Sequence, residues 1–478
     1  MNTDEYAKLD ATAQARLVAE KKVSPKELVE AAIARIERLD GPVNSVVTKQ
    51  YEKALERAEG PLPSGPFRGV PFLLKDLSGG GEKGSPLTLG SRLLAKHVAE
   101  VDTELVRRFR DAGLVFVGRT NTPELGIPPT TEPLLFGPCK NPWNLAHSSG
   151  GSSGGAAAAV ALRLVPFAHA SDAGGSIRIP ASCCGLFGLK PTRARSPMGP
   201  KLGESTAGLI AELCVSVSVR DSAALLDAIE GPDVGDPYAA PAKLRPFLSE
   251  VTAKPSKLRI AVMRTAVNGA PVDPECLAAV DSAAALCREL GHEVVDEQFE
   301  LADPASFFTA FVTVWSVSAA VNVRSIEALA GRPAGPEDIE PVTRALADMG
   351  NGHSGPDFVL AQRTLHRASR EIARFFVDHD VVLSPTLARP PALLGDLVST
   401  PDSPLAGFFK AGGYAAFTPV YNVTGQPAMS VPLHWSKDGL PIGVQFAGRF
   451  GDDGTLLRLA AELERARPWA GKTPPGVL

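Results

Sequence analysis

A serine hydroxyl attacks a carbonyl carbon only when a neighbouring group takes its proton, and two stretches of this chain are built for that chemistry. Ser148-Ser149-Gly150-Gly151-Ser152-Ser153-Gly154-Gly155 runs into Ala156–Ala159, and Asp172-Ala173-Gly174-Gly175-Ser176-Ile177-Arg178-Ile179-Pro180 follows. Small residues permit close backbone approach and unusual dihedrals. The N–H groups of Ala173, Gly174, Gly175 and Ser176 are candidates to converge on an oxyanion. Each stretch alone has other readings. The composition GGSSGG suits a flexible linker, but apolar residues surround it. It also suits a phosphate loop, yet no GK[ST] follows and Rossmann spacing is absent. A Ser-His-Asp triad would draw on His147 or His169, the nearest in sequence, but neither sits in a nucleophile-elbow pattern such as GxSxG. Lys75 is the alternative base. It follows the apolar run Val70-Pro71-Phe72-Leu73-Leu74, and burial at the end of a strand disfavours its ammonium form. A lysine snorkelling from a strand end is the plain structural reading of the same residue. Cys183 and Cys184 have no basic neighbour in sequence, which disfavours a cysteine nucleophile.

These residues need elements to hold them. Ser24-Pro25-Lys26-Glu27 predicts a capping box with Pro at the first helical position, and Leu28, Ala32, Ile36 and Leu39 continue at helical spacing. The first ~60 residues therefore read as helices. From Gly69 the pattern changes to a short buried strand at 70–74. A helix capped by Asp102 and carrying Leu105, Val106 and Phe109 ends at Gly113, before a strand at 114–117. Further strands are expected at 258–263, 292–295, 381–383 and 444–446. Helices are expected at 273–290, about 303–330, 355–378 and 455–465. Alternation of helix, glycine and strand is the rhythm of an α/β layer fold. With no repeat or low-complexity linker, the chain reads as one large domain with a helical insertion.

Composition narrows the function classes. The chain has 478 residues, 44% of them hydrophobic and 21% charged, with 45 Gly and 42 Pro. That core-forming fraction excludes disorder as the main state. The formal charge of −4, with no basic block, argues against nucleic acid and anionic membrane as partners. The longest apolar candidate for a membrane span, 154–165, is short and carries Arg163, and the N-terminus lacks the apolar core of a signal peptide. Cys139, Cys183, Cys184, Cys214, Cys276 and Cys287 include no CxxC, so reduced thiols in a cytoplasmic protein are expected. Scattered histidines predict no metal site.

The motifs together resemble the amidase signature family. They are Gly69-Val70-Pro71-Phe72-Leu73-Leu74-Lys75-Asp76, the two glycine-serine stretches, Gly188-Leu189-Lys190-Pro191-Thr192, Thr120-Asn121-Thr122-Pro123-Glu124, and Asn141-Pro142-Trp143-Asn144. Asn422–Ala428 and Gly439–Gln445 complete the set, which spans roughly residues 65–450. The resemblance implies an α/β fold with a mixed sheet covered by helices on both faces. It implies a helical segment at 1–64 packed on an amidase domain at 65–478, with the insertion at about 300–380. Carried over by residue, Ser176 is the nucleophile, Ser152 the relay across a cis Gly151–Ser152 bond, and Lys75 the base. Ser153, Asp172 and Arg178 are the supporting shell, although Asp172 and Arg178 also read as a plain buried ion pair. The implied reaction is hydrolysis of a linear or cyclic amide through an acyl-enzyme, without cofactor or metal. Within the family the chain looks most similar to bacterial broad-specificity amidases, including the 6-aminohexanoate cyclic-dimer hydrolase branch. Hydrolysis of carbamates or aryl amides, and a glutaminase subunit of a tRNA-dependent amidotransferase, remain as alternatives. Intact Lys75, Ser152 and Ser176 disfavour a non-catalytic scaffold. The partner is a small amide or carbamate, with room for a homodimer. Pocket walls are expected from 125–136, 196–206, 303–320 and 400–421, whose apolar content suits an apolar or amphipathic acyl group. Phe307, Phe308, Phe311 and Trp315 fall on one helix, and a core stripe is the simpler account of them. Trp143 reads as core or pocket wall.

Overall fold

The computed structural model describes residues 1–477; Leu478, the last residue of the expected second segment, lies outside it, as does the side chain of Ser78. Eleven strands form one mixed sheet. In chain order they are β1 (Val46–Lys49), β2 (Pro71–Lys75), β3 (Val115–Thr120), β4 (Phe167–Asp172), β5 (Phe187–Lys190), β6 (Ala211–Ser216), β7 (Arg259–Val262), β8 (Glu293–Val295), β9 (Val381–Pro385), β10 (Ala428–Trp435) and β11 (Pro441–Gly448). Their order across the sheet is β1-β3-β2-β4-β6-β5-β10-β11-β9-β7-β8. β2 runs parallel to β3 and β4, while β4, β6, β5, β10 and β11 alternate antiparallel. Every residue of β2, β4 and β6 is buried, as expected for strands covered on both faces.

The N-terminal stretch differs from an all-helical segment. Its capping box at Ser24 forms as expected, but Val46–Lys49 adds an edge strand to the main sheet, antiparallel to β3. Four residues are too few for periodicity to announce a strand. The helix after residue 102 is capped by Thr103, whose hydroxyl accepts from Val106 N–H. Asp102 instead accepts from Lys83 N–H and pairs with Arg110.

Two helices carry the serine stretches. Gly154–Ala161 is buried along its whole length. A side chain at Gly155 would meet the Asn121 backbone at 2.4 Å and the Ser45 carbonyl at 2.8 Å, so only glycine lets this helix lie so close to the sheet. Arg178–Cys184 is the second, also wholly buried.

Between β8 and β9 lie the helices Pro304–Ala330, Pro341–Asn351 and Gly355–Asp378. The first and third match expectation; the middle one was not foreseen. Pro304–Ala330 corrects the reading of 154–165 as the best apolar span. It is 27 residues long with a mean hydropathy of 1.5 over 18 residues, enough by length and composition to cross a membrane. Serines, threonines and Asn322 interrupt its apolar run, which hid it from a search for unbroken stretches. In this fold it packs as a core helix. Phe307, Ala310 and Val314 meet Leu365 and Ile372, and Ala319 meets Val342 and Leu346.

Candidate active site

β2 ends at Lys75, whose side chain is fully buried. Its Nζ lies 2.8 Å from Ser152 Oγ, 2.9 Å from Ser153 Oγ and 2.9 Å from Ser171 Oγ. Burial pushes the amine down to about 7, against the opposing charges of Glu212 and Asp172. An amine that is neutral near pH 7 can accept a proton, which an ordinary lysine cannot. Proton counting restricts the arrangement further. Ser153 Oγ–H donates to the Ser171 carbonyl at 3.2 Å, so Ser153 can only accept from Nζ. The lone pair of a neutral amine is then left for Ser152 or Ser171.

The loop carrying Ser152 is pinned from several sides. The Gly151–Ser152 peptide bond is cis. Thr122 Oγ1 donates to Ser152 O at 3.0 Å, and Thr131 Oγ1 donates to Gly150 O at 2.9 Å. Ser176 sits beside it, its carbonyl accepting Ser153 N–H at 3.3 Å. Ser176 is 8% exposed, and its hydroxyl has no hydrogen-bond partner among the described residues. Ala173 and Gly174 next to it are partly open.

Of the four N–H groups expected to face an oxyanion, Gly175 is already engaged, donating to Asp172 Oδ1 at 2.8 Å. Those of Ala173, Gly174 and Ser176 have no partner among the described residues. The turn itself needs glycine at 175. Its φ is +130°, and a side chain there would meet Thr418 Oγ1 at 2.3 Å.

Asp172 and Arg178 form a fully buried two-point pair, Nη2–Oδ1 2.9 Å and Nε–Oδ2 3.0 Å. Burial raises the Asp172 carboxyl, but Arg178 prevails and holds it at about 2. Arg178 also donates to Gln445 Oε1 at 2.7 Å, Asn422 Oδ1 at 2.7 Å and Thr418 O at 2.9 Å. The ion-pair and supporting-shell readings of these residues therefore describe one arrangement. Asn422 and Gln445 fall in C-terminal stretches noted in the sequence, but nothing local shows that they reach Arg178. Ser171 was also missed. Strand alternation is its only signal, since it shares a face of β4 with His169.

The other candidates settle elsewhere. His147 Nδ1 lies 2.8 Å from Pro391 O, and His169 is paired with Glu212, so neither meets a serine hydroxyl. Cys183 is buried against Tyr414, and burial pushes its thiol up to about 12. Trp143 donates to Cys184 O at 2.9 Å and packs on Trp435. Lys190 is a second buried lysine, lowered to about 7 by burial and then by Arg178, but it donates to Pro191 O rather than to a serine. Among the described residues no group of three or more His, Cys, Asp or Glu could hold a metal ion.

A cavity of about 210 Å³ lies beside the serine loop, walled by Ile127, Pro129, Leu134, Val342, Leu397 and Phe408, with Glu132 and Glu340 at its lining. It adjoins the catalytic candidates without including them. A side chain at Gly151 would meet the Thr130 backbone at 2.7 Å. Segments 125–136 and 400–421 supply walls as expected, 196–206 does not line this cavity, and 340–342 joins unforeseen. From 303–320, Phe307 goes to the core, whereas Phe311 stacks on Trp315 at 5.4 Å. Trp315 packs with Ile127, Val342 and Phe408, and its ring lies within 3.6 Å of where a Gly174 side chain would be. It bridges the loop before Ser176 and the cavity wall.

Known proteins resemble this chain over most of its length. The family model described as Amidase matches residues 27–457. The 6-aminohexanoate-cyclic-dimer hydrolase of Paenarthrobacter ureafaciens is 40% identical over 476 residues, covering 97% of this chain and 96% of the relative. A solved structure of 6-aminohexanoate cyclic dimer hydrolase superposes with a TM-score of 0.94 at 40% identity, covering 98% and 99% of the two chains. A bacterial aryl acylamidase of the amidase signature family superposes with a TM-score of 0.85 at 29% identity, over 97% and 99%. A buried lysine among serine hydroxyls, on a mixed sheet shared end to end with these hydrolases, places the chain in the amidase signature family, as an amide hydrolase.

Proposed function

We propose that the chain cleaves a carboxylic amide through an acyl-enzyme, with Ser176 as nucleophile, Ser152 as proton relay and Lys75 as base. The observation that carries this reading is the fully buried Lys75 Nζ at 2.8 Å from Ser152 Oγ. As Ser176 Oγ bonds to the amide carbon, its proton passes to Ser152 Oγ and that of Ser152 to Lys75 Nζ. The tetrahedral oxyanion is stabilised by N–H groups of Ala173, Gly174 and Ser176, which have no competing acceptor among the described residues. One such donor is worth about 2.7–4 kcal/mol in other hydrolases. The relay then runs backwards and protonates the amine as the C–N bond breaks, which is the difficult part of opening an amide. Water repeats the attack on the ester, releasing the acid and regenerating Ser176.

The apolar cavity beside the serine loop supports an apolar or amphipathic acyl group. The two hydrolases of 6-aminohexanoate cyclic dimer and aryl amides among its relatives make cyclic aliphatic amides and anilides the first substrates to try. A release assay across cyclic oligoamides, linear aliphatic amides, anilides and carbamates, with Ser176→Ala as control, tests the reading. Turnover of at least one amide class, lost in the variant, is expected; a Ser176→Ala protein as active as the parent would refute it.

A further inference from the structure

Behind Lys75 lies a pair of buried side chains that the proposed reaction leaves unused. His169, on β4, is fully buried, and its Nδ1 accepts the backbone N–H of Lys75 at 3.3 Å. An imidazole nitrogen that accepts carries no proton, so the neutral ring keeps its hydrogen on Nε2. That nitrogen lies 2.9 Å from Glu212 Oε2, on the neighbouring strand β6, and donates to it. Register places Glu212 directly across from Ser171, whose hydroxyl touches Lys75 Nζ. One pair therefore contacts the backbone of Lys75 and brings a carboxylate near its amine.

The charges around Lys75 are unequal in kind. From β4, Asp172 is neutralised by the two-point contact with Arg178. Just after β2, Asp76 is held by Thr88, whose N–H and hydroxyl both donate to it. From β3, Arg119 donates to Gly80 O at 2.7 Å. Glu82, in the loop after β2, pairs with Lys53 and Arg110. From β5, Lys190 donates to Pro191 O. From the helix Glu104–Asp111, Phe109 packs against His169, its ring centroid 5.5 Å away. Asp76 and Glu212 are the two of these carboxylates held by neutral partners, and Glu212, not Asp76, is the one whose charge acts on the Lys75 amine. With His169 as an Nε2–H donor, the pair keeps a net negative charge next to an amine that burial would otherwise strip of proton affinity.

We infer that His169 and Glu212 are positioning residues for the base: they orient the Lys75 backbone and supply the negative charge that lets its amine accept the proton of Ser152. This inference rests on the assignment of Lys75 as base, and no bond to substrate is made by either residue.

The test is the rate at which a fluorophosphonate labels Ser176 between pH 5 and 10, which reports the base without needing the natural substrate. In the parent protein the rate rises with pH as Lys75 becomes neutral. Glu212→Gln removes the charge, so the acid limb is expected to move down by roughly one pH unit. His169→Asn keeps an acceptor for Lys75 N–H but withdraws the Nε2–H that holds the Glu212 carboxylate in place, so the limb moves the same way. His169→Gln restores a donor to Glu212, and the limb stays within about 0.3 unit of the parent. Should Glu212→Gln fail to fold by thermal melting, the contrast between His169→Asn and His169→Gln carries the test. An acid limb that stays put in Glu212→Gln, or in His169→Asn where the first does not fold, overturns the inference. Lys75→Met and Ser176→Ala run alongside separate the two levels. If they label and turn over like the parent, the base assignment itself falls; if they are dead while the limb is immobile, only the positioning role falls.

Discussion

A lysine side chain in water holds its proton until pH is above 10, and Lys75 departs from this because no water reaches it. Burial brings the amine to about 7, and the charges of Glu212 and Asp172 resist. The sign of the pH dependence follows. With Lys75 as the proposed base, the neutral form is the active one; it is the minor form below pH 7, so kcat/KM on an amide should rise with pH through about 7 and level off above it. Lys75→Met should lose about 10²–10⁴-fold in kcat/KM, the usual range for a positioned acid–base group, and should lose that limb as well. A variant that kept the limb would show that another group is titrating. Ser153 and Ser171 give the amine its remaining contacts, and neither hydroxyl could be assigned to it from sequence spacing.

At the scale of elements, the turn after β4 is held by charge. Asp172 Oδ1 and Oδ2 together accept from the N–H groups of Gly175 and Ile177 and from two nitrogens of Arg178, so one carboxylate shapes the loop that presents Ser176. Asn422 and Gln445 extend this network to the C-terminal part of the fold. Removing one partner of a buried ion pair strands the other in low dielectric, at about 3–5 kcal/mol. Arg178→Met should therefore lower the free energy of unfolding by that amount, seen as an earlier midpoint in urea denaturation. A midpoint within error of the parent would mean that Asp172 is satisfied by its backbone donors alone. The Gly154–Ala161 helix shows the same economy of space, since its first turn leaves no room for a side chain against Asn121.

For the molecule as a whole, the cavity proposed to take the acyl group is assembled from distant parts of the chain. The cavity takes walls from 123–134, 340–342 and 397–408, and Trp315 reaches over from the Pro304–Ala330 helix to Gly174. Trp315→Ala should change the ranking of substrates rather than abolish the reaction. A loss of roughly 10–100-fold in kcat/KM for a long apolar acyl group, with acetanilide much less affected, is the expected pattern from a competition assay. Equal losses on both would make Trp315 a structural residue only. The residues of the lysine and serine stretches, the glycines of the tight turns and the long helices at 304–330 and 355–378 were readable from the chain alone, because small residues and apolar runs are local signals. The edge strand at Val46–Lys49, the helix at Pro341–Asn351, the engagement of Gly175 N–H by Asp172 and the pairing of His169 with Glu212 were not. The edge strand and the His169–Glu212 pair depend on which strands lie side by side in the eleven-stranded sheet, and the Gly175 bond depends on how its own turn folds. The chain by itself determined which groups are available to do chemistry. Tertiary structure alone decided which are dry, which are paired and which stay free, because solvent exclusion and charge balance are properties of surroundings that distant segments build.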